Sequence, residues 1–299
     1  MQEKGNKFKI NFIGVGTPRS GTTWISKCLS EHSQICFSKE KETHFFDKDY
    51  NFDKGLEYYR SFFENKEKQE GVILGEFTPS YYRDEKCAKR IKTFFPDVKI
   101  ILCLRNPVDR ALSDYRYNKK RGAKLGQNLL EEPELNLDER VVSDGFFYNH
   151  LEKFLIPFNF NNIHIILHKD IKKHPDKVLR KLYDFLGVNN DFIPSSLHQR
   201  VNTTEGTNYR YPAINRIINY RKKLKNDAVG RFILNIFKLL GIGYLSKKLI
   251  QANKTSKQKN IFSEEEINNF KIKLFDVYLK DINKLEDLIK KDLSIWKQI

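Results

Sequence analysis

Short apolar runs rich in β-branched residues alternate along the chain with stretches in which apolar residues recur at helical spacing. The runs Phe8 to Val15, Ile35 to Phe37, Val72 to Leu74, Val98 to Leu104 and Ile163 to Leu167 predict strands. The stretches Thr22 to Glu31, Leu56 to Phe63, Lys86 to Phe95, Val108 to Lys120, Tyr148 to Phe158 and Pro175 to Leu186 predict helices, the last ending at Gly187. Ser263 followed by Glu264, Glu265 and Glu266 predicts a capping-box start to one or two closing helices that reach Lys291. Strand and helix in alternation predict an α/β fold with three α/β/α layers around a central, mostly parallel five-stranded sheet. No internal repeat and no linker divides the 299 residues, so the expectation is a single domain over 1–299.

Composition narrows this little, since 39% hydrophobic, 13% aromatic and 31% charged residues describe an ordinary globular chain. No run approaches the roughly 18 apolar residues of a bilayer-spanning helix, and the start lacks the long apolar centre of a signal peptide. The expected localisation is therefore cytoplasmic. Cys28, Cys36, Cys87 and Cys103 form no C-x-x-C pair and predict packed, reduced thiols. Charge matters more. The formal net charge is +16, and the stretch from Arg216 to Lys259 holds twelve Lys or Arg against the single acid Asp227. Within this basic amphipathic insertion, 216–259, residues Phe232, Ile233, Ile236, Phe237 and Leu240 share one helical face. That pattern fits a packed helix with a solvated Lys face, a cover over an anionic or lipid-linked acceptor, or a peripheral membrane contact through 229–248. Without a helix-turn-helix or a stacking-sheet signature, no nucleic acid is expected as a partner.

The chemistry concentrates where the first predicted strand meets Gly14-Val15-Gly16-Thr17-Pro18-Arg19-Ser20-Gly21-Thr22-Thr23-Trp24. Glycines permit a tight turn, and the amides of Ser20, Gly21, Thr22 and Thr23 would face an anion at the positive end of the next helix. Gly16 and Gly21 have the spacing of a triphosphate loop, yet Thr22 stands where that motif needs lysine. The strand Val98 to Leu104 ends in Arg105, whereas a magnesium-dependent hydrolase needs an acid at such a place. The loop thus predicts a phosphate of lower charge, handled by Arg19 and main-chain amides without metal. Arg105 offers a fork for a second phosphate, Pro107 suits a helix's first turn, and Ser113 can donate a hydroxyl; capping and cross-linking is the alternative role for Arg105 and Ser113.

T-P-R-S-G-T-T-W resembles the 5′-phosphosulfate loop of sulfotransferases that use 3′-phosphoadenylyl sulfate (PAPS), and L-R-N-P-V-D-R-A-L-S-D-Y resembles their 3′-phosphate motif. The resemblance implies the P-loop, nucleotide-kinase-like sulfotransferase fold, with PAPS as donor and 3′,5′-ADP (PAP) as product. It also implies that Arg105 and Ser113 grip the 3′-phosphate. It places Trp24 near the adenine, core packing being the alternative. A third run, Lys39-Glu40-Lys41-Glu42-Thr43-His44-Phe45-Phe46-Asp47, resembles a segment of glycan-modifying sulfotransferases. Two residues apart, Glu42 and His44 would share a face if this segment is extended. The resemblance makes Glu42 the general base, His44 its helper and Arg19 the group that offsets charge on the leaving phosphate.

Gly75-Glu76-Phe77-Thr78-Pro79-Ser80-Tyr81-Tyr82 is similar to a further segment of the same relatives, many of which have lysine where this chain has Phe77. A cationic acceptor contact implied there is missing. Arg200 and Asn202 lie in a run that resembles the loop folding over the nucleotide, a surface turn being the alternative. The implied acceptor is a hydroxyl, with an amine second, on a carbohydrate, glycolipid or similar molecule. A nucleoside or nucleotide kinase with a degenerate loop and a basic nucleic-acid-binding protein are the alternatives. His164 and His168 are four apart, but a strand there offers no third ligand, so no metal site is expected.

Overall fold

The computed structural model describes residues 8–63, 70–120, 140–199 and 263–298 and the pairs 208–209 and 254–255. Its strands are β1 (Phe12–Gly16), β2 (Ile35–Phe37), β3 (Ile73–Phe77), β4 (Lys99–Leu104) and β5 (Ile163–Leu167), with β6 (Asn208–Tyr209) and β7 (Lys254–Thr255) later in the chain. Helices are α1 (Thr22–Glu31), α2 (Asp49–Phe52), α3 (Gly55–Arg60), α4 (Glu85–Phe94), α5 (Pro107–Lys120), α6 (Arg140–Ser143), α7 (Phe147–Leu155), α8 (His168–Lys173), α9 (Pro175–Leu186) and α10 (Glu264–Ile289).

The chain divides into two compact units, one of Met1–Arg110, Ser143–Val201 and Phe275–Ile299, the other of Ala111–Val142 and Asn202–Leu274. In the first unit the five strands pair in parallel in the order β2-β3-β1-β4-β5. This is the expected parallel α/β sheet. Phe12, Ile101, Cys103 and Ile166 point to one face and join Ile25 and Leu182 in a core cluster with α1 and α9. The alternate residues Ile13, Val15, Ile100 and Leu102 are equally buried, so the sheet is covered on both faces. From β1 the chain first lays strands to one side, β2 and β3, and then to the other, β4 and β5. The crevice at the carboxyl ends of β1 and β4 is therefore the topological switch point, where α/β sheets bind ligands.

β1 and α7 differ from their predicted lengths for physical reasons. β1 begins at Phe12 rather than Phe8, because the Phe8 ring packs among Tyr59, Phe63 and Phe95 at 5.8 to 6.2 Å. The helix predicted over Tyr148 to Phe158 stops at Leu155, and the Phe158 ring instead stacks on Phe154 at 5.8 Å. In the second unit β6 and β7 pair antiparallel, and Tyr115 lies 5.7 Å from Phe270. The predicted capping box is formed: the Ser263 amide donates to Glu266 Oε2 at 2.5 Å, and the Glu266 amide donates to Ser263 Oγ at 3.1 Å. A single helix follows, α10.

Candidate active site

All the candidate groups of the first unit follow carboxyl ends of strands. After β1 the chain reverses through Arg19 and Gly21, both left-handed with φ of 67° and 92°, and Gly21 then caps α1. A side chain at Gly21 would be strained and would also meet Ile171 Cδ1 at 2.9 Å and His168 Cδ2 at 3.2 Å. Glycine is required there for both reasons. The Thr17 amide and hydroxyl both donate to the Cys103 carbonyl, at 2.8 and 2.9 Å, and the Thr17 and Ser20 hydroxyls lie 2.6 Å apart. These contacts fasten the loop to the end of β4. From that end Arg105 Nη1 donates to the Arg19 carbonyl at 3.3 Å, so the two guanidinium-bearing residues expected at the phosphates are brought together. The Trp24 and Ile25 amides donate to the Gly21 carbonyl at 3.0 and 3.2 Å, which closes the first turn of α1 and sets the helix's positive end beside the loop, an arrangement that suits an anion.

Ser20 and Thr22 are buried in this loop. The Trp24 indole is 6% exposed and belongs to the core cluster. A buried indole N–H needs an acceptor. Here Nε1 shares the carbonyls of Ser196 and Leu197 at 3.2 and 3.1 Å. Ser113 is buried on α5 and belongs to the second unit. Arg200, Asn202 and nearly all of the basic stretch 216–259 lie outside the described residues.

Between β2 and α2, Glu42 and His44 do meet, with Nε2 of His44 3.7 Å from Oε2 of Glu42. The expected extended segment is corrected: His44 has φ of 51°, so a left-handed turn rather than a shared strand face produces the approach. The two side chains are 43% and 37% exposed while Thr43 between them is buried, so both are open to an acceptor. Lys41 Nζ donates to Glu42 Oε1 at 2.8 Å. On its other side His44 Nδ1 lies 3.0 Å from Oδ2 of Asp47, a carboxylate that also accepts the Ser80 hydroxyl at 2.7 Å. The Asp47 hydrogen bond raises the His44 pKa above its ordinary 6.5, against the opposing effect of burial. Burial would raise the Asp47 carboxyl, but its bonds from His44 and Ser80 outweigh that and lower it. With Nδ1–H directed to Asp47, the other ring nitrogen faces Glu42.

Sequence reasoning missed three things. Asp47 stood in the quoted run, and its signal was the three-residue spacing to His44. Ser80 comes from the turn after β3, far off in sequence. His168, weighed only as a metal ligand, opens α8 against the loop at Gly21, and its pKa falls to about 3 through burial and the nearby Arg105 and Lys172 cations. It is therefore a neutral ring near neutral pH. His164 stacks on Phe185 at 5.0 Å instead. Phe77 is wholly buried, its ring only 2.2 Å from where a Cβ on Gly14 would lie. This position is core rather than acceptor surface.

Asp47→Asn tests the pairing. His44 with a raised pKa stabilises the fold fully below its ordinary 6.5 and loses that contribution as pH rises through its folded value. Asp47 with a lowered pKa stabilises above its ordinary 3.8 and loses that contribution as pH falls through its folded value. The stability gap between parent and Asn variant should therefore be widest between about pH 4 and 6.5 and narrow on both sides. Urea titrations across pH measure it, and the His44 midpoint read by NMR should fall in the variant.

A loop that caps α1 at the switch point of a parallel sheet, with an arginine at the adjoining strand end and a Glu–His pair on the same edge, is the arrangement of an α/β transferase domain. The chain belongs to the sulfotransferase domain family, whose model matches residues 10–233. Among curated relatives, the membrane-associated sulfotransferase kil1 of Dictyostelium discoideum is 38% identical over 109 residues, covering 36% of this chain and 23% of that protein. Heparan sulfate glucosamine 3-O-sulfotransferase 3A1 of Mus musculus is 28% identical over 222 residues, 69% of this chain and 52% of that protein. This chain thus spans from about a quarter to about half the length of these relatives. The crystal structure of a sulfotransferase from Alicyclobacillus acidocaldarius shares the fold, with a TM-score of 0.63 and 22% identity over 97% of this chain and 100% of that one. No helix among the described residues is long and apolar enough to cross a membrane.

Proposed function

We propose that this protein transfers the sulfuryl group of PAPS to a hydroxyl of a carbohydrate-type acceptor and releases 3′,5′-ADP. The observation that carries the reading is the left-handed loop at Arg19 and Gly21 joined to Arg105 at the end of β4. A cation at that strand end suits a second phosphate of the donor. An acid there would suit magnesium. The loop suits a phosphosulfate, because left-handed Gly21 ends it at the start of α1, whose positive end is directed to the same place. The carbohydrate class is supported by the heparan sulfate relative named above, and by a Glu–His pair open to solvent.

The acceptor oxygen forms its bond to sulfur as the bond from sulfur to the phosphate oxygen breaks. Glu42 takes the acceptor's proton. His44, held by Asp47, keeps Glu42 oriented, and Arg19 with the loop amides offsets the charge that grows on the leaving phosphate. Ser113, Arg200 and Asn202 join Arg105 as donor-binding residues in this reading, and the membrane contact through 229–248 stays a proposal for delivering a lipid-linked acceptor. The test is incubation with radiolabelled PAPS and a panel of glycans, glycolipids and small alcohols. Label should move to a carbohydrate-bearing member. Magnesium-dependent phosphate transfer from ATP, with no label moved from PAPS, would replace this reading by the kinase one.

A further inference from the structure

A completely buried carboxylate lies beneath the Glu42–His44 turn and plays no direct part in the reaction above. Glu76, on β3, is 0% exposed. Its Oε1 accepts from the hydroxyls of Thr43 at 3.0 Å, Tyr59 at 3.1 Å and Tyr81 at 3.0 Å. Its Oε2 accepts from Thr78 at 2.6 Å. Three of these four hydroxyls converge on Oε1, and the Thr43 and Tyr81 oxygens also lie 3.0 Å from each other, so the four groups form one network around the carboxylate.

What these hydroxyls hold is more telling than their number. The Tyr81 oxygen also accepts the amides of Phe45 at 3.0 Å and Phe46 at 3.4 Å, and Thr43 Oγ1 accepts the Phe45 amide at 3.4 Å. Glu76 therefore reaches, through one intervening oxygen, the backbone just after the left-handed His44, and directly the Thr43 side chain just before it. Thr78 extends the same network the other way. Its amide donates to the Gly14 carbonyl in the middle of β1 and its carbonyl accepts the Tyr81 amide, which shapes the turn that presents Ser80 to Asp47. One carboxylate thus joins the turn that carries Glu42 and His44, the turn that steadies Asp47 and the strand that carries the phosphate loop.

A buried carboxylate carries a desolvation penalty, and replacing such a group and its polar partners by apolar residues of similar volume often leaves a protein at least as stable. Its return is orientation, since bonds to a single acceptor fix the donors' directions as packing alone does not. We propose, on the strength of the sulfotransferase reading, that Glu76 is a positioning residue: through Tyr81 and Thr43 it sets the left-handed turn that aims His44 at Glu42.

The test uses the full chain with Glu76→Gln, Tyr81→Phe and the double variant. The amide keeps an oxygen for part of the network and gives up the charge. In the Gln variant, hydrogen exchange at the Phe45 and Phe46 amides should speed up about tenfold or more while α1 and β4 stay protected. The turnover number should fall about tenfold with 3′,5′-ADP affinity unchanged, and the double variant should be little worse than the worse single one, because both act through the same oxygen. A solely structural carboxylate predicts a lower melting temperature with unchanged turnover per folded molecule and additive variants; that result, or unchanged exchange at Phe45 and Phe46, overturns the proposal. If Glu76→Gln does not fold, Tyr81→Phe keeps the carboxylate and the same readouts decide. If the parent moves no label from PAPS, the reaction reading fails separately. Exchange at the turn and the NMR titration of His44 in the Gln variant then decide whether Glu76 fixes the turn.

Discussion

Glu42→Gln should bind 3′,5′-ADP with the parent's affinity and lose about a thousandfold in sulfuryl transfer, the middle of the range for removing a general base. The side chain is 43% exposed and forms no part of the core, so its replacement leaves the fold intact. Glutamine is nearly isosteric and can still accept from Lys41, now at 2.8 Å from Oε1, so the loop's shape should also survive. What it cannot do is take a proton from the acceptor oxygen. Calorimetry with 3′,5′-ADP and initial rates with PAPS separate the two effects. Turnover within about tenfold of the parent would remove Glu42 from the base role.

The loop after β1 and the arginine after β4 were legible in the sequence, and the Glu42–His44 turn only partly. Glycine at 21 and arginine at the end of β4 can be read without coordinates, because a left-handed helix cap and a strand-end cation each depend on a few adjacent residues. Four of the five parallel strands were placed within two residues at their amino ends, since their apolar runs are bounded by charged or turn residues. The Glu42–His44 approach was expected for a reason that fails: the period of an extended chain, where the structure uses φ of 51° at His44. That conformation is imposed by Tyr81 and Glu76, more than thirty residues downstream, and no local pattern announces it. Ser80 and Asp47 escaped notice for the same reason, as their bond closes a loop between two strand ends. Phe77 shows the converse. Read as a missing acceptor contact, it is a core residue that fills the space left by Gly14, a pairing across strands that the sequence does not display.

Arg105→Ala should weaken 3′,5′-ADP binding about a hundredfold and shrink the preference for 3′,5′-ADP over AMP, which lacks the 3′-phosphate. A charge-assisted bond contributes about 1.5–3 kcal/mol, and a bidentate guanidinium lies at the upper end of that range. The side chain also donates to the Arg19 carbonyl, in a loop whose conformation depends on left-handed residues, so its loss acts twice: on the phosphate it would meet and on the shape of the loop. Arg105→Lys separates these effects. It keeps a positive charge and removes the fork, so affinity should recover only in part. Raising the salt from low to moderate concentration should weaken the parent's binding more than that of the Ala variant, because one fewer cation then faces the ligand. Equal affinity of the parent for 3′,5′-ADP and AMP would mean that no 3′-phosphate site exists, and the assignment of PAPS as donor would go with it.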